Sequence, residues 1–325
     1  MTAVAVAWGD LEFAALRTAQ QAELRARYGE DDLGHDMTGE DILDAVVLHD
    51  GGVAAACGAL RDAAELGPGT GELKRMYVLP SHRGRGLSRR VVDELEAAAR
   101  RRGLTRLVLE TGVLQPEAIG LYLSAGYVPI DRFPPYERET TSRAFAKDLT
   151  AAPVARERAG DGAGGLVVDR IGWLDPEAVA LRREMAAVLR DFYGPVGWFA
   201  DDETIAATDA AEAHRALVVL VVRDGATPVG TVTLSSDPEG RPAGWGELER
   251  LLTLPQARGR GVARQMLRAV EDEARTRGLV ALTLTTGYRQ HPAIAMYLAA
   301  GYRIVAPAGD SWPSQDRLFW FAKEL

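Results

Sequence analysis

Residues 72–90 read ELKRMYVLPSHRGRGLSRR, and 175 residues later, at 247–265, the chain reads ELERLLTLPQARGRGVARQ. The register holds without a gap through LVLETG and LTLTTG to the twin endings LYLSAGY (121–127) and MYLAAGY (296–302). About half of the positions from 72 to 127 are identical to their counterparts. An earlier echo, ALRTAQQAELRARYG at 15–29 against ALRREMAAVLRDFYG at 180–194, runs at an offset of 165, so ten residues are inserted between the two blocks. Self-similarity of this kind means a duplicated domain, with the insertion taken up in loops. Residues 150–166, TAAPVARERAGDGAGGL, are rich in Ala, Gly and Arg and have no hydrophobic period, which reads as a linker. The expected division is a domain at 1–150, a linker at 151–164 and a second domain at 165–325, each large enough for its own core.

Inside each half the pattern is the same. A short apolar strand precedes an amphipathic helix (13–28; 178–193), and two further strands follow. A strand at 73–79 (248–254) then runs into RGRG, and the next helix places Leu87, Val91 and Leu95 on one face, as it does Val262, Met266 and Val270. Gly103 and Gly278 stand where a helix ends. Another strand, a short helix ending at Gly126 (Gly301) and closing strands complete the half. Strand, loop, helix and parallel strand in that order predict an α/β (α+β) fold with a mixed sheet.

Composition limits what such a protein does. Of 325 residues 47% are hydrophobic and 26% charged, the balance of a globular chain and not of a disordered or fibrous one. Thirty-eight basic against 46 acidic residues leave a net charge of −8, which argues against nucleic acid or an acidic membrane as partner. The longest apolar run, 216–222, is far short of a membrane span, and the first ten residues lack the basic start of a signal peptide. One cysteine, Cys57, suits a reducing compartment; the expected location is the cytoplasm. The five histidines have no metal-ligand spacing, and no Ser-His-Asp or Cys-His arrangement points to a covalent acyl-enzyme. Cys57, in an apolar strand, reads as core.

The loop carries the chemistry. Arg83-Gly84-Arg85-Gly86-Leu87-Ser88 and Arg258-Gly259-Arg260-Gly261-Val262-Ala263 each follow a strand and open a helix. Glycines let backbone N–H groups approach a ligand closely, and the helix N-terminus adds partial positive charge, so the place suits a pyrophosphate. The loop arginines offer pairing to further phosphates. Neither a Walker loop nor a Rossmann fingerprint is present.

These loops resemble those of GNAT-type N-acetyltransferases. The family's pattern of Arg or Gln, two residues, Gly, one residue, and Gly or Ala is met by Arg83, Gly86 and Ser88 and by Arg258, Gly261 and Ala263, with Ser88 a mild departure. Its second signature, a polar residue before an Ala-Ile-x-x-Tyr helix ending in Gly-Tyr, is met by Gln115, Ala118, Ile119, Tyr122 and Gly126-Tyr127. The second copy has Gln290, Ala293, Ile294, Tyr297 and Gly301-Tyr302. The resemblance covers nearly the whole chain outside the linker. It implies two tandem GNAT-like domains, each a mixed, partly splayed β-sheet flanked by helices, and acetyl-CoA as cosubstrate with no metal.

By the same resemblance Tyr122 and Tyr297 are the acids that protonate the leaving thiolate, and Glu72 and Glu247 are the candidate bases. Glu110 is a second carboxylate candidate whose counterpart is Thr285, so the two sites differ. Met76, Tyr77 and Val78, and Leu251, Leu252 and Thr253, would meet the pantetheine arm, with a β-bulge in this strand admitting it. Gln115 and Gln290 complete the expected cosubstrate contacts. The acceptor that the resemblance implies is a primary amine of a small molecule or peptide. Acidic and aromatic residues after the first helix of each copy (27–32; 191–194 and 198–203) suit a cationic amine, although such acidic clusters are more often solvated loops or helix caps. Two alternatives stand beside direct acetylation: a mycothiol-synthase-like tandem enzyme, supported by the layout alone, and a chain in which one half is a non-catalytic acyl-CoA-binding or structural module. The expected assembly is a monomer, pseudo-dimeric by duplication, or a homodimer.

Overall fold

The computed structural model describes residues 1–29, 37–151, 165–309 and 317–325. The chain divides into two compact units, 1–154 and 155–325. The expected linker at 151–164 lies, apart from Ala151, outside the described residues, as do Glu30, Asp31 and Asp32.

The N-terminal unit runs β1 (Thr2–Val6), α1 (Leu11–Tyr28), β2 (Ile42–Asp50), β3 (Val53–Asp62), β4 (Thr70–Val78), α2 (Leu87–Arg101), β5 (Arg106–Gly112), α3 (Pro116–Ser124), β6 (Val128–Ile130) and β7 (Ser142–Asp148). The C-terminal unit runs β8 (Leu166–Ile171), α4 (Pro176–Tyr193), α5 (Asp202–Glu212), β9 (Ala216–Asp224), β10 (Thr227–Ser236), β11 (Trp245–Thr253), α6 (Val262–Thr276), β12 (Ala281–Gly287), α7 (His291–Ala299), β13 (Arg303–Val305) and β14 (Leu318–Glu324). Among the described residues each unit holds one seven-stranded sheet, ordered β1-β2-β3-β4-β5-β7-β6 and β8-β9-β10-β11-β12-β14-β13. Every neighbour pairs antiparallel except β4–β5 and β11–β12, which are parallel. The mixed sheet expected from the order of elements is therefore present twice.

Local chemistry explains the elements beside the site. Asp10 caps α1 by accepting the Phe13 N–H at 3.0 Å, and Gly29, in the left-handed region, ends the helix. Phe13 and Leu16 of α1 pack on Ala45, Val47, Cys57 and Ala59, one face of the sheet. Gly58 points to the opposite face, where an added Cβ would lie 2.6 Å from both Met76 and Val91, so α2 approaches β3 closely. Gly103 and Gly278 have φ of +76° just beyond the ends of α2 and α6, as their positions predict. The inserted residues surface as α5, a helix the sequence reading lacks: by Asp50 and Asp224, the ends of β2 and β9, the offset is already 174. Arg182 and Asp209, both buried, pair at 2.8 Å and fasten α5 to α4.

Candidate active site

The site begins where two parallel strands part. Pairing of β4 with β5 runs from Thr70–Arg106 to Leu73–Leu109 and stops, although β5 continues to Gly112. On its other side β4 shifts register against β3 between Cys57 and Ala59, and Arg75, within the shift, has φ of +55°. A non-glycine residue in that region costs about 1–2 kcal/mol, and the bulge it makes turns the strand aside. The C-terminal unit repeats this: β11–β12 pairing ends at Glu247–Thr283, the register shifts between Thr231 and Thr233, and Arg250 has φ of +53°. The splay and the bulge expected in this strand are both found.

A cavity of about 360 Å³ opens into the gap of the N-terminal unit. It is lined by Met76, Tyr77 and Val78 of β4, by Arg83, Gly84, Gly86, Leu87 and Ser88, and by Gln115 and Tyr122. Two of the candidate residues do not line it. Arg85 turns outward to pair with Asp50 at 2.9 Å, just as Arg260 pairs with Asp224 at 2.7 Å. Glu72 is buried in an ion-pair cluster with Arg61 at 2.9 Å and Lys74 at 3.3 Å. Glu110 does line the cavity and accepts a hydrogen bond from Ser142 Oγ.

Backbone geometry leaves the loop open at the helix N-terminus. Gly84 and Gly86 have φ of +76° and +77°, and Gly259 and Gly261 have +76° and +79°. A Cβ at any of the four would meet nothing within 4 Å, so it is conformation that favours glycine there, while the space beyond stays open. The N-cap of α2 is Gly86 and that of α6 is Gly261; neither brings a side chain to the first N–H groups of its helix. Leu87 and Val262 anchor those helices in the core, while Ser88 and Ala263 are partly exposed beside them. This donor set fits a pyrophosphate. Beside the loop, Arg83 donates to the Val78 carbonyl at 3.1 Å and pairs with Glu23 at 2.6 Å, while Arg258 is exposed. The Met76 carbonyl accepts from Gln20 at 2.9 Å.

Tyr122 is held among aromatic rings, with Tyr127 at 5.9 Å and Phe145 at 6.2 Å between centroids. Burial, with the Glu110 carboxylate near, pushes its hydroxyl well above the usual phenol range, so it keeps its proton at neutral pH. Tyr297 sits in the same trio, 5.8 Å from Tyr302 and 5.7 Å from Phe321, and burial raises it likewise. Cys57 is core, as expected: fully buried, its thiol pushed up to about 12.

Sequence reasoning missed several cavity residues. Lys74, Tyr136, Glu139 and Ser142 line it, and Lys74 hydrogen-bonds the Tyr136 hydroxyl. Lys74 follows Glu72 by two and so shares its strand face, which was a readable signal. Tyr136 has none, since 129–141 lies outside the repeat.

The C-terminal counterpart differs in charge. Glu249 replaces Lys74, and an exposed Thr285 replaces Glu110. Leu251 and Thr253 of β11 are half-buried and Leu252, where Tyr77 stands, is buried. Arg250, at the bulge, stacks on Trp198 at 3.7 Å and pairs with Glu212 of α5 at 2.7 Å. Of the acidic residues considered for the acceptor, Asp201 caps α5 through the Thr204 N–H at 2.7 Å, and Asp202 and Glu203 lie in its first turn.

Glu247 pairs with Arg215 at 2.6 Å, yet burial and the neighbouring Glu249 push it up to about 7. A carboxyl raised above its unfolded value of about 4.3 binds its proton more tightly in the folded state, so stability falls as pH rises from about 4.5 to about 7. In urea melts of the C-terminal unit, Glu247→Gln should remove up to about 2 kcal/mol of that pH dependence, the full linkage value being discounted for the ion pair and residual exposure. A variant whose stability follows the wild-type pH curve would refute this.

Among the described residues no group of three or more His, Cys, Asp or Glu could hold a metal ion, and no helix is long and apolar enough to cross a membrane.

IAA acetyltransferase of Azospirillum brasilense is 35% identical over 147 residues, 45% of this chain and 90% of that protein. Aminoalkylphosphonate N-acetyltransferase of Salmonella typhimurium is 34% identical over 85 residues, 26% of this chain and only 54% of that protein. The solved structure of IAA acetyltransferase from Bacillus cereus is 20% identical, with 49% of this chain and 99% of that one covered at a TM-score of 0.37. The model of the Acetyltransferase (GNAT) family matches residues 11–127 and again 183–302, one match in each unit. With most of its length matched in two copies, the chain belongs to the GNAT acetyltransferase family, as a tandem acyltransferase.

Proposed function

We propose that this enzyme moves an acetyl group from acetyl-CoA directly to a primary amine of a small molecule or peptide, and that its N-terminal unit is the better catalyst. One observation carries the reading: a single cavity along the splayed edge of β4 joins the open N-terminus of α2 to the buried Tyr122. Acetyl-CoA, when bound, supplies an activated acyl thioester. The N–H groups at the start of α2 hold its pyrophosphate, and the edge of β4 that β5 leaves unpaired offers backbone groups to the pantetheine arm. Glu110, the β5 carboxylate on the cavity, accepts the proton of the incoming ammonium, while Glu72 serves by holding Lys74 in place. As the amine nitrogen bonds to the acyl carbon and the C–S bond breaks, Tyr122, kept neutral by burial, donates a proton to the departing thiolate, whose thiol has a pKa near 8.5, and recovers the second proton that the nitrogen sheds on becoming an amide.

The second unit keeps the loop, Gln290 and Tyr297 but has Thr285 in place of the Glu110 carboxylate. Losing a base outright is a larger change than Ser88 for Ala263 in the loop, whose backbone N–H is unaffected. Calorimetric titration with acetyl-CoA should give a stoichiometry of two if both units bind, and of one if the second is a structural module. A panel of primary amines (amino acids, diamines, aromatic amines, aminoalkylphosphonates), read by free CoA release, then finds the acceptor. A folded chain that binds no acetyl-CoA would end the proposal.

A further inference from the structure

One small contact is built twice in this chain, with its arginine on opposite sides. Tyr28, the last residue of α1, drives its hydroxyl against Gly112 at the end of β5: a Cβ on that glycine would lie 1.9 Å from the oxygen. The hydroxyl accepts the Leu114 N–H at 3.0 Å and a further bond from the Gln115 side-chain amide. Beside it, Arg27 donates to the Leu114 carbonyl at 2.9 Å and pairs with Glu117 at 2.6 Å. In the C-terminal unit Tyr193 ends α4, and a Cβ on Gly287 would lie 2.0 Å from its hydroxyl. That hydroxyl accepts the Arg289 N–H at 3.2 Å and a bond from Gln290. Here, however, the arginine has changed sides. Phe192 stands where Arg27 does, and Arg289, where Leu114 stands, reaches back to the Phe192 carbonyl at 3.0 Å. What the two units share is the bond, not the residue that makes it.

The bond has a mechanical consequence. Gln115 is the N-cap of α3; its N–H reaches the Gly112 carbonyl at 3.0 Å, and its own carbonyl takes the N–H groups of Ala118 at 3.0 Å and Ile119 at 3.1 Å. Tyr122 follows about two turns along the same helix. The entry point of α3, and with it the placement of Tyr122 on the cavity wall, is therefore set by where the 112–115 loop is held. We propose that Tyr28 and Arg27 form a latch from the end of α1 that positions α3 and, through it, Tyr122. They are positioning residues, and the proposal rests on the reading of Tyr122 as the acid.

The test separates a latch from a merely stabilising contact. Tyr28→Phe keeps the ring and removes the oxygen that Leu114 and Gln115 use. With the best amine of the panel, kcat should fall about tenfold or more, because small misplacements of a reacting group are costly, while acetyl-CoA affinity and the melting midpoint stay near wild type. In a Tyr122→Phe background the same substitution should cost less than about twofold, since the group it positions is gone. Arg27→Phe should also lower kcat, and adding Leu114→Arg, the arrangement of the C-terminal unit, should restore most of the loss. An equal loss from Tyr28→Phe in both backgrounds, or no rescue by Leu114→Arg, overturns the latch and leaves the proposed acid untouched. If Tyr122→Phe by itself leaves kcat intact, the acid assignment falls and the latch falls with it.

Discussion

Tyr122→Phe should lower kcat by about 10²–10⁴-fold while leaving acetyl-CoA affinity nearly unchanged. The ring stays packed against Tyr127 and Phe145, so the substitution removes a proton donor and little else. Burial holds the hydroxyl well above its ordinary range, so below pH 9 the wild-type enzyme should show no loss of rate from its ionisation. Tyr297→Phe, made in an identical aromatic setting, is the internal control. Because the carboxylate on Glu110 has no counterpart at Thr285, Tyr297→Phe should cost less under the same acceptor. A larger loss from Tyr297→Phe would mean the catalytic unit is the C-terminal one. A loss under tenfold from both would remove tyrosine from the reaction.

Gly86→Glu should abolish acetyl-CoA binding in the N-terminal unit, reducing affinity by about 100-fold or more. Two effects add. Gly86 has φ of +77°, where a side chain costs about 1–2 kcal/mol. The larger effect is electrostatic: a carboxylate would stand in the open space at the N-cap of α2, where the pyrophosphate is expected, and satisfy the N–H groups meant for it. Gly86→Asn separates the two, because asparagine tolerates the left-handed conformation and carries no charge; it should retain binding within about tenfold. Gly261→Glu should do the same to the C-terminal unit, and the double variant should bind none. Unchanged stoichiometry in a folded double variant would sink the acetyl-CoA reading.

Much of this protein was legible without coordinates, and for a physical reason. A repeat in sequence is a repeat in fold, because identical hydrophobic periods and turn residues specify identical elements; the 72–90 and 247–265 blocks therefore implied two equal sheets, and two are found. The glycine loop is equally local. Left-handed φ values at Gly84, Gly86, Gly259 and Gly261 follow from residue type within a few positions, and so does the helix N-terminus they open onto.

What the sequence could not decide depends on distant pairing. Glu72 and Glu110 are both carboxylates on adjacent parallel strands, and either could be assigned as base; only the packed sheet sends one into an ion-pair cluster with Arg61 and Lys74 and the other to the cavity wall. Arg85 and Arg83 sit two apart in one loop, yet Asp50, brought across from the β2 end, draws Arg85 away. Tyr136 comes from a segment without any repeat and reaches Lys74 through tertiary contact alone. The bulge at Arg75 and Arg250 carries no glycine to announce its positive φ; the strand bends there because the sheet on one side and the opening on the other over-determine it. Sequence by itself determined the family, the duplication and the glycine loop, since each is written in residues close together along the chain. Tertiary structure alone decided which charges face the cavity, because that depends on partners that neighbouring strands and distant segments bring to the same side chains.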